Sequence, residues 1–312
     1  MSDQQIIDSA EPAAVEEAFV IEARALTKKF GEIDAVRGID LTIPKGRCIG
    51  LLGPNGAGKT TTMRMIMGLT RPTSGSVTVL GEEASRLPRS TRARIGLVPQ
   101  DNNLDPDLSV RQNLEVFGRY YGLLPAEINE RVPQLLDFMQ LSQRAKSPVM
   151  GLSGGMQRRL ILARAVIGNP DLIILDEPTT GLDPQARVMI WRQLLVLKNQ
   201  AKTLLLTTHY MDEAERLCDD IVLIDNGRIL DQGTPRELIR RHVKPQVIEI
   251  RKPLPRHLPL SQTEDLGDSV LLFVDDAEAV IRGMPAETSF QHRPANLEDV
   301  FLRLTGRQLR EN

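Results

Sequence analysis

The segment Gly53-Pro54-Asn55-Gly56-Ala57-Gly58-Lys59-Thr60 satisfies GxxxxGK[ST], and its residue types suit a phosphate chain. Glycines let a backbone wrap closely so that its N–H groups face phosphate oxygens, and a helix that follows adds its N-terminal dipole. Lys59 can then reach the terminal phosphates, and Thr60, with Thr61 beside it, brings a hydroxyl for Mg²⁺. The bland alternative is a Gly-rich turn. Downstream, the apolar run Leu172 to Leu175 ends in Asp176-Glu177, two carboxylates at the end of a buried strand. Asp176 is suited to hold Mg²⁺ through water, and Glu177 to orient and polarise an attacking water as general base. Two solvated acids would be the plain alternative.

Three further places belong with these. His209 closes the apolar segment TLLLTTH, and Gln100 follows the strand ending at Val98-Pro99. A lone His or Gln at a strand end is usually structural, and only its order relative to the phosphate loop and Asp176-Glu177 argues for function. Leu152-Ser153-Gly154-Gly155-Met156 opens a helix that runs toward Gly168. A hydroxyl and exposed N–H groups at a helix N-terminus form a second anion-binding end, although Ser-Gly-Gly also serves as an ordinary helix cap.

Elements able to position these groups are visible along the chain. Arg47 to Leu52, Ile95 to Val98, Leu172 to Leu175 and Thr203 to Thr207 are short apolar runs of the buried parallel-strand kind, and helices alternate with them, which predicts an α/β class. An amphipathic segment, Met63 to Leu69, follows the phosphate loop. Ser109 with Gln112 three residues on is a capping-box pattern opening a helical insertion that reaches Tyr121 before Gly122. IVLIDNGRILDQG predicts a hairpin turning at Asn226-Gly227, and Thr234-Pro235-Arg236-Glu237 caps another helix. After His242 the composition shifts; the strand-like SVLLFV and helices near Ala277 to Arg282 and Asn296 to Leu304 predict a small C-terminal α/β domain. The expected division is a tail at 1–20, a nucleotide-binding domain at 21–242 and the small domain at 243–312.

Composition is restrictive in other ways. The 312 residues carry 41% hydrophobic and 26% charged residues and a net charge of -2, which gives no electrostatic case for nucleic acid or an anionic membrane surface. Two cysteines, Cys48 and Cys218, argue against a disulfide framework or zinc site and for a reducing cytoplasm. No apolar stretch is long enough to span a membrane and the N-terminus does not read as a secretory signal, so a membrane role requires spans from another chain.

GPNGAGKT, VPQ, LSGGM, LIILDE, GLD at Gly181 to Asp183 and TTH stand in the order of the ABC (ATP-binding cassette) ATPase family, which the sequence resembles over about residues 21 to 240. The resemblance implies a P-loop NTPase fold: a RecA-like parallel core sheet, an antiparallel β subdomain and an α-helical insertion near 101–158. It implies ATP and Mg²⁺ as cofactors and a head-to-tail homodimer. In that dimer the phosphate loop of one subunit and Ser153, Gly154 and Gly155 of the other clamp each ATP. Phe30, in TKKFG, would stack on adenine; a core aromatic is the alternative. Gln100 would sense Mg²⁺ and water and link to the membrane partner, Asp183 would communicate across the dimer, and His209 would contact the γ-phosphate. Met156 departs from the commoner Gln at the end of the signature, while the presence of both Glu177 and His209 argues for a hydrolytic site.

RARIGLVPQDNNLD, VRQNLEVFGRYYG, MDEAERLCD and NLEDVFLRLTGR resemble, more closely, the nodulation-factor exporter (NodI-like) ATPases of the ABC-2 type exporters. That likeness implies separate integral membrane permease subunits, a place on the cytoplasmic face of the inner membrane, and a lipo-oligosaccharide cargo. Because cargo is read by the permease, a drug or glycolipid exporter stays open, as does, further off, a soluble ABC ATPase acting on ribosomes or DNA. The C-terminal domain reads either as a ligand sensor or as an appendage that stabilises the dimer.

Overall fold

The computed structural model describes residues 19–255 and 262–306; the expected N-terminal tail lies outside them up to residue 18. The chain runs through β1 (Phe19–Phe30), β2 (Ile33–Pro44), β3 (Cys48–Leu52), α1 (Lys59–Ile66), β4 (Ser74–Val79), β5 (Glu82–Glu83), α2 (Arg89–Arg92) and β6 (Ile95–Val98). Three helices follow, α3 (Val110–Tyr120), α4 (Pro125–Phe138) and α5 (Gly154–Val166). Then come β7 (Leu172–Asp176), α6 (Pro184–Asn199), β8 (Thr203–Thr208), α7 (Met211–Leu217), β9 (Asp220–Asp225), β10 (Arg228–Gly233) and α8 (Pro235–His242). The C-terminal part holds β11 (Gln246–Arg251), β12 (Thr263–Asp265), β13 (Ser269–Val274), α9 (Ala277–Arg282), β14 (Phe290–Pro294) and α10 (Leu297–Thr305).

Among the described residues the strands form three sheets, and the central one has the order β10-β9-β3-β8-β7-β6. Its strands are parallel except for β10, which turns back on β9 through Asn226 (φ 47) and Gly227 (φ 73), the two positive φ values of a type I′ turn. Residues of β3, β7 and β8 are buried throughout because both faces of the sheet are covered. Ile173, Leu175, Leu204 and Leu206 enter the core on one face, and Leu172, Ile174 and Leu205 enter the core on the other. The second sheet, β2-β1-β4-β5, is antiparallel and closes the latter core with Ile21, Leu26, Ile39 and Val79.

Two element boundaries differ from the sequence reading. α1 begins at Lys59 rather than near Met63, because the phosphate loop itself supplies the first turn: the Thr62 N–H donates to the Gly58 carbonyl at 2.9 Å. It stops at Ile66 because Gly68 (φ 68) turns the chain beneath Ala84, leaving no room for another turn. The helical insertion is a group of helices, with α3 opened by the Ser109–Gln112 capping box and α4 started by Pro125 at its first position. The third sheet, β12-β13-β11-β14, is antiparallel. One of its faces contributes Val247, Leu271 and Phe273, with Val300 and Phe301 of α10, to the larger central core, and the other packs Ile248, Ile250 and Leu272 against α9.

Candidate functional site

Parallel register brings the carboxyl ends of the central strands to one edge. Leu52 pairs with Thr208, Asp176 with Thr207 and Val98 with Leu175, so the segments that leave β3, β6, β7 and β8 emerge side by side, where open α/β sheets take their ligands. Gly53 to Gly58 leave β3 there. A Cβ on Gly53 would lie 2.1 Å from the Ile224 carbonyl oxygen, and Gly58 is left-handed (φ 100) as the cap residue of α1. The N–H groups of Lys59, Thr60 and Thr61 open α1 with no intrahelical acceptor and point out of its N-terminus, an arrangement suited to a phosphate. Asn55, Gly56 and Thr60 are exposed, and Pro54 and Ala57 hold the turn through an Ala57 N–H to Pro54 carbonyl bond of 3.2 Å.

Lys59 is buried; its ammonium donates to the carbonyls of Gly53 (2.7 Å) and Pro54 (3.0 Å) and lies 3.8 Å from Glu177 Oε1. Burial lowers its pKa, against the pull of the Glu177 and Asp176 carboxylates. Asp176 accepts from Thr207 Oγ1 at 2.6 Å, and burial outweighs that bond to raise its pKa. A buried carboxylate short of compensating charge, together with the Thr60 hydroxyl, offers the hard oxygen donors that Mg²⁺ takes alongside phosphate and water. No group of three or more His, Cys, Asp or Glu side chains suited to a metal occurs among the described residues, so an ion would depend on the nucleotide for its remaining ligands.

Glu177 is the hub. Its Oε2 accepts from Gln100 Nε2 (3.3 Å) and Thr180 Oγ1 (3.1 Å) and lies 3.5 Å from His209 Nδ1, an ion-pair distance at which the ring nitrogen makes no well-formed hydrogen bond. His209, then burial acting in the opposite sense, then Lys59 and Thr180 set its acidity, and the balance holds it below the ordinary carboxylate value. An ionised carboxylate fixed between a lysine, a glutamine and a histidine can order a water and take its proton. The backbone is unusual too: Glu177 has φ 46, rare for a residue with a side chain.

The site residues named from the sequence fall into two groups. Lys59, Gln100, Asp176, Glu177 and His209 come together at the sheet edge. Ser153, Gly154 and Gly155 stand at the start of α5, where Ser153 Oγ accepts from the Met156 N–H at 3.3 Å, and no hydrogen bond or ion pair among the described residues joins them to the phosphate loop. Ser153 and Gly154 are exposed, while Met156 is partly buried against the core. Asp183 caps α6 by accepting from the Ala186 N–H at 2.9 Å. Phe30 is not a core aromatic: it is 50% exposed, with the Lys28 ammonium 4.8 Å from its ring centroid.

Sequence reasoning passed over three residues that shape this edge. Thr207 bonds Asp176 and also accepts the Glu177 N–H (3.0 Å). Glu213, fully buried, accepts from Thr179 Oγ1 (2.8 Å) and Trp191 Nε1 (2.9 Å), and burial raises its pKa. Arg158, in α5, is buried with its guanidinium against the backbone on either side of the hub. Thr207 is an ordinary strand residue by type, and Glu213 and Arg158 stand among other charged residues in their helices, so neither spacing nor composition singles them out.

Residues 36–180 match the family model of the ABC transporter, and residues 255–306 match that of the nodulation factor export protein NodI C-terminal domain. The Nod factor export ATP-binding protein I of Ralstonia nicotianae is 47% identical over 306 residues, covering 94% of this chain and 95% of that protein. This chain belongs to the ABC transporter family. The protein of the same description from Cupriavidus metallidurans is 49% identical over 300 residues, covering 94% and 99% of the two chains. Among solved structures, the ATP-binding subunit of an ABC transporter aligns with a TM-score of 0.66 and 31% identity, covering 71% of this chain and 92% of the other. A dimeric ATP-binding cassette in a post-hydrolysis state, bound to ADP and Pi, aligns with a TM-score of 0.63 and 29% identity, covering 69% and 98%. The chain is thus an ABC ATP-binding subunit, a nucleotide-binding ATPase of the transporter class, and its NodI-like ending sets its branch.

Proposed function

We propose that this subunit binds ATP with Mg²⁺ at Gly53 to Thr61, hydrolyses it with Glu177 as general base, and so powers export through a separate membrane permease. The observation that carries this is the convergence of Lys59, Gln100, Thr180 and His209 on the single Glu177 carboxylate. Lys59 would draw charge from the terminal phosphates, Thr60, Gln100 and Asp176 would serve the metal and its water, and His209, 3.5 Å from the base, would contact the γ-phosphate. Phe30, exposed at the end of β1 in the antiparallel sheet, would supply a stacking face for adenine.

Ser153, Gly154 and Gly155, the first two exposed at the start of α5, complete the site of a second copy; the dimeric cassette bound to ADP and Pi supports a nucleotide-bearing dimer. Asp183 then lies at the seam. No helix among the described residues is long and apolar enough to cross a membrane; the relatives' description as an export ATP-binding protein supports a permease on a different chain, with this subunit at the membrane's cytoplasmic face. Close relatives carry the Nod factor export name, which supports a lipo-oligosaccharide cargo ahead of a drug or glycolipid. The shared core of the third sheet supports reading residues 243–312 as a stabilising appendage to a nucleotide-binding domain at 21–242.

Glu177→Gln tests the reading. Turnover should fall by about 10²- to 10⁴-fold while ATP binding persists and an ATP-bound dimer accumulates, seen by phosphate release and light scattering. Retained steady-state hydrolysis overturns the catalytic assignment. Co-purification with ribosomes and never with an integral membrane chain overturns the transport reading.

A further inference from the structure

Arg158 uses every donor it has on one task. Nε donates to the Pro178 carbonyl (2.6 Å), Nη1 to those of Pro99 and Gln100 (3.3 Å for the latter), and Nη2 to those of Asp176 (3.1 Å) and Glu177 (3.0 Å). A guanidinium has five N–H groups, and all five go to main-chain carbonyls. Those carbonyls belong to two segments, one carrying Gln100 and the other Glu177. The side chain is 7% exposed, and although burial lowers its pKa to about 10 it remains a cation at neutral pH.

Arg158 stands on α5, five residues and about 7.5 Å of helix rise after the Ser153 cap. A helix moves as a rigid rod, so displacement of its N-terminus displaces Arg158 as well. The backbone it grips at Glu177 is in a left-handed conformation that is unfavourable for a residue with a side chain and persists only where neighbours over-determine it. Thr207 fixes the Glu177 N–H and Arg158 fixes its carbonyl. The same guanidinium that holds the carrier of the base therefore also holds the carrier of Gln100, and it is mounted on the helix that presents Ser153 to Gly155.

We propose that Arg158 is the positioning residue that couples the signature helix to the catalytic edge of its own subunit. When Ser153 to Gly155 engage the nucleotide held by a second copy, the shift of α5 passes through Arg158 and aligns Gln100 and Glu177 of the same chain for the ATP at its own phosphate loop. The inference rests on the head-to-tail dimer proposed above. Each active site then senses whether the other is filled, which makes hydrolysis cooperative in ATP.

The test uses the full-length chain with Arg158→Met and Arg158→Lys, each alone and combined with Glu177→Gln, and reads binding of a fluorescent ATP analogue, ATP-dependent dimerisation, melting temperature and turnover against ATP concentration. Arg158→Met should lower kcat by about 100-fold, the cost of a misplacement near 1 Å, with the ATP concentration at half-maximal rate unchanged and the sigmoidal ATP dependence flattened. Arg158→Lys, with three donors for five acceptors, should recover part of both kcat and cooperativity. Both should dimerise with ATP in the Glu177→Gln background. Lost kcat with cooperativity intact overturns the coupling, as does a parallel fall of ATP binding and melting temperature in both variants. If Glu177→Gln alone forms no ATP-dependent dimer, the dimer reading fails first and takes the coupling with it.

Discussion

The acidity of Glu177 is set by contacts that arrive from separate parts of the chain. His209 at 3.5 Å, Lys59 at 3.8 Å and Thr180 at 3.1 Å favour the carboxylate, while partial burial opposes it. The folded pKa is therefore depressed. Such a group adds stability that is present above the unfolded value of 4.5 and is lost as pH falls through the lower folded value. Urea midpoints of wild type and Glu177→Gln should thus differ at pH 6 and converge below pH 4.5; a gap that stays constant to pH 3 would remove the assigned cause. Asp176 has the opposite sign, because burial raises its pKa and its ionised form strains the fold as pH rises, a strain that a bound cation would relieve. Asp176 and Glu177 were legible as an acidic pair at a strand end, but adjacency could not reveal that their acidities are pushed in opposite directions.

At the scale of elements, the two glycine segments do different work. Gly53 is held by close approach, since a Cβ there would meet the Ile224 carbonyl oxygen at 2.1 Å, whereas a Cβ on Gly154 meets no other atom within 4 Å. Gly53→Ala should therefore lower the melting temperature sharply or prevent folding. Gly154→Ala, in the first turn of α5, should leave it unchanged or raise it slightly, since Ala is the better helix former by about 1 kcal/mol. If Gly154 faces a second nucleotide, the same change should still depress ATP turnover. A melting temperature lowered more by Gly154→Ala than by Gly53→Ala would contradict this. The motif spelled the loop correctly, yet it placed the start of α1 too late, because the first turn of that helix is built from the loop's own Gly58 carbonyl.

For the whole molecule, the C-terminal elements are fastened to the ATPase core. α10 packs against α8 and α7, the Leu297 N–H donates to Glu215 Oε1 at 2.7 Å, and Phe301 is fully buried in the central core. Phe301→Ala should cost about 3–5 kcal/mol, read by urea denaturation of the full chain, with ATPase turnover per folded molecule preserved. A cost below 1 kcal/mol would mean that the appendage is loosely attached and would favour a sensor over a brace.

The sequence by itself determined the α/β class, the order of the phosphate loop, acidic pair and signature, the Ser109 and Thr234 caps and the Asn226-Gly227 turn. Each of these is local chemistry, a steric or hydrogen-bonding demand met within a few residues, so it is readable along the chain. Only the tertiary structure decided that Gln100, Thr180, His209 and Lys59 share one carboxylate, that Phe30 faces solvent and that Arg158 ties two loops to α5. Parallel strands join residues far apart in sequence through helical crossovers, and burial is a property of everything packed around a side chain. Neither is encoded in spacing.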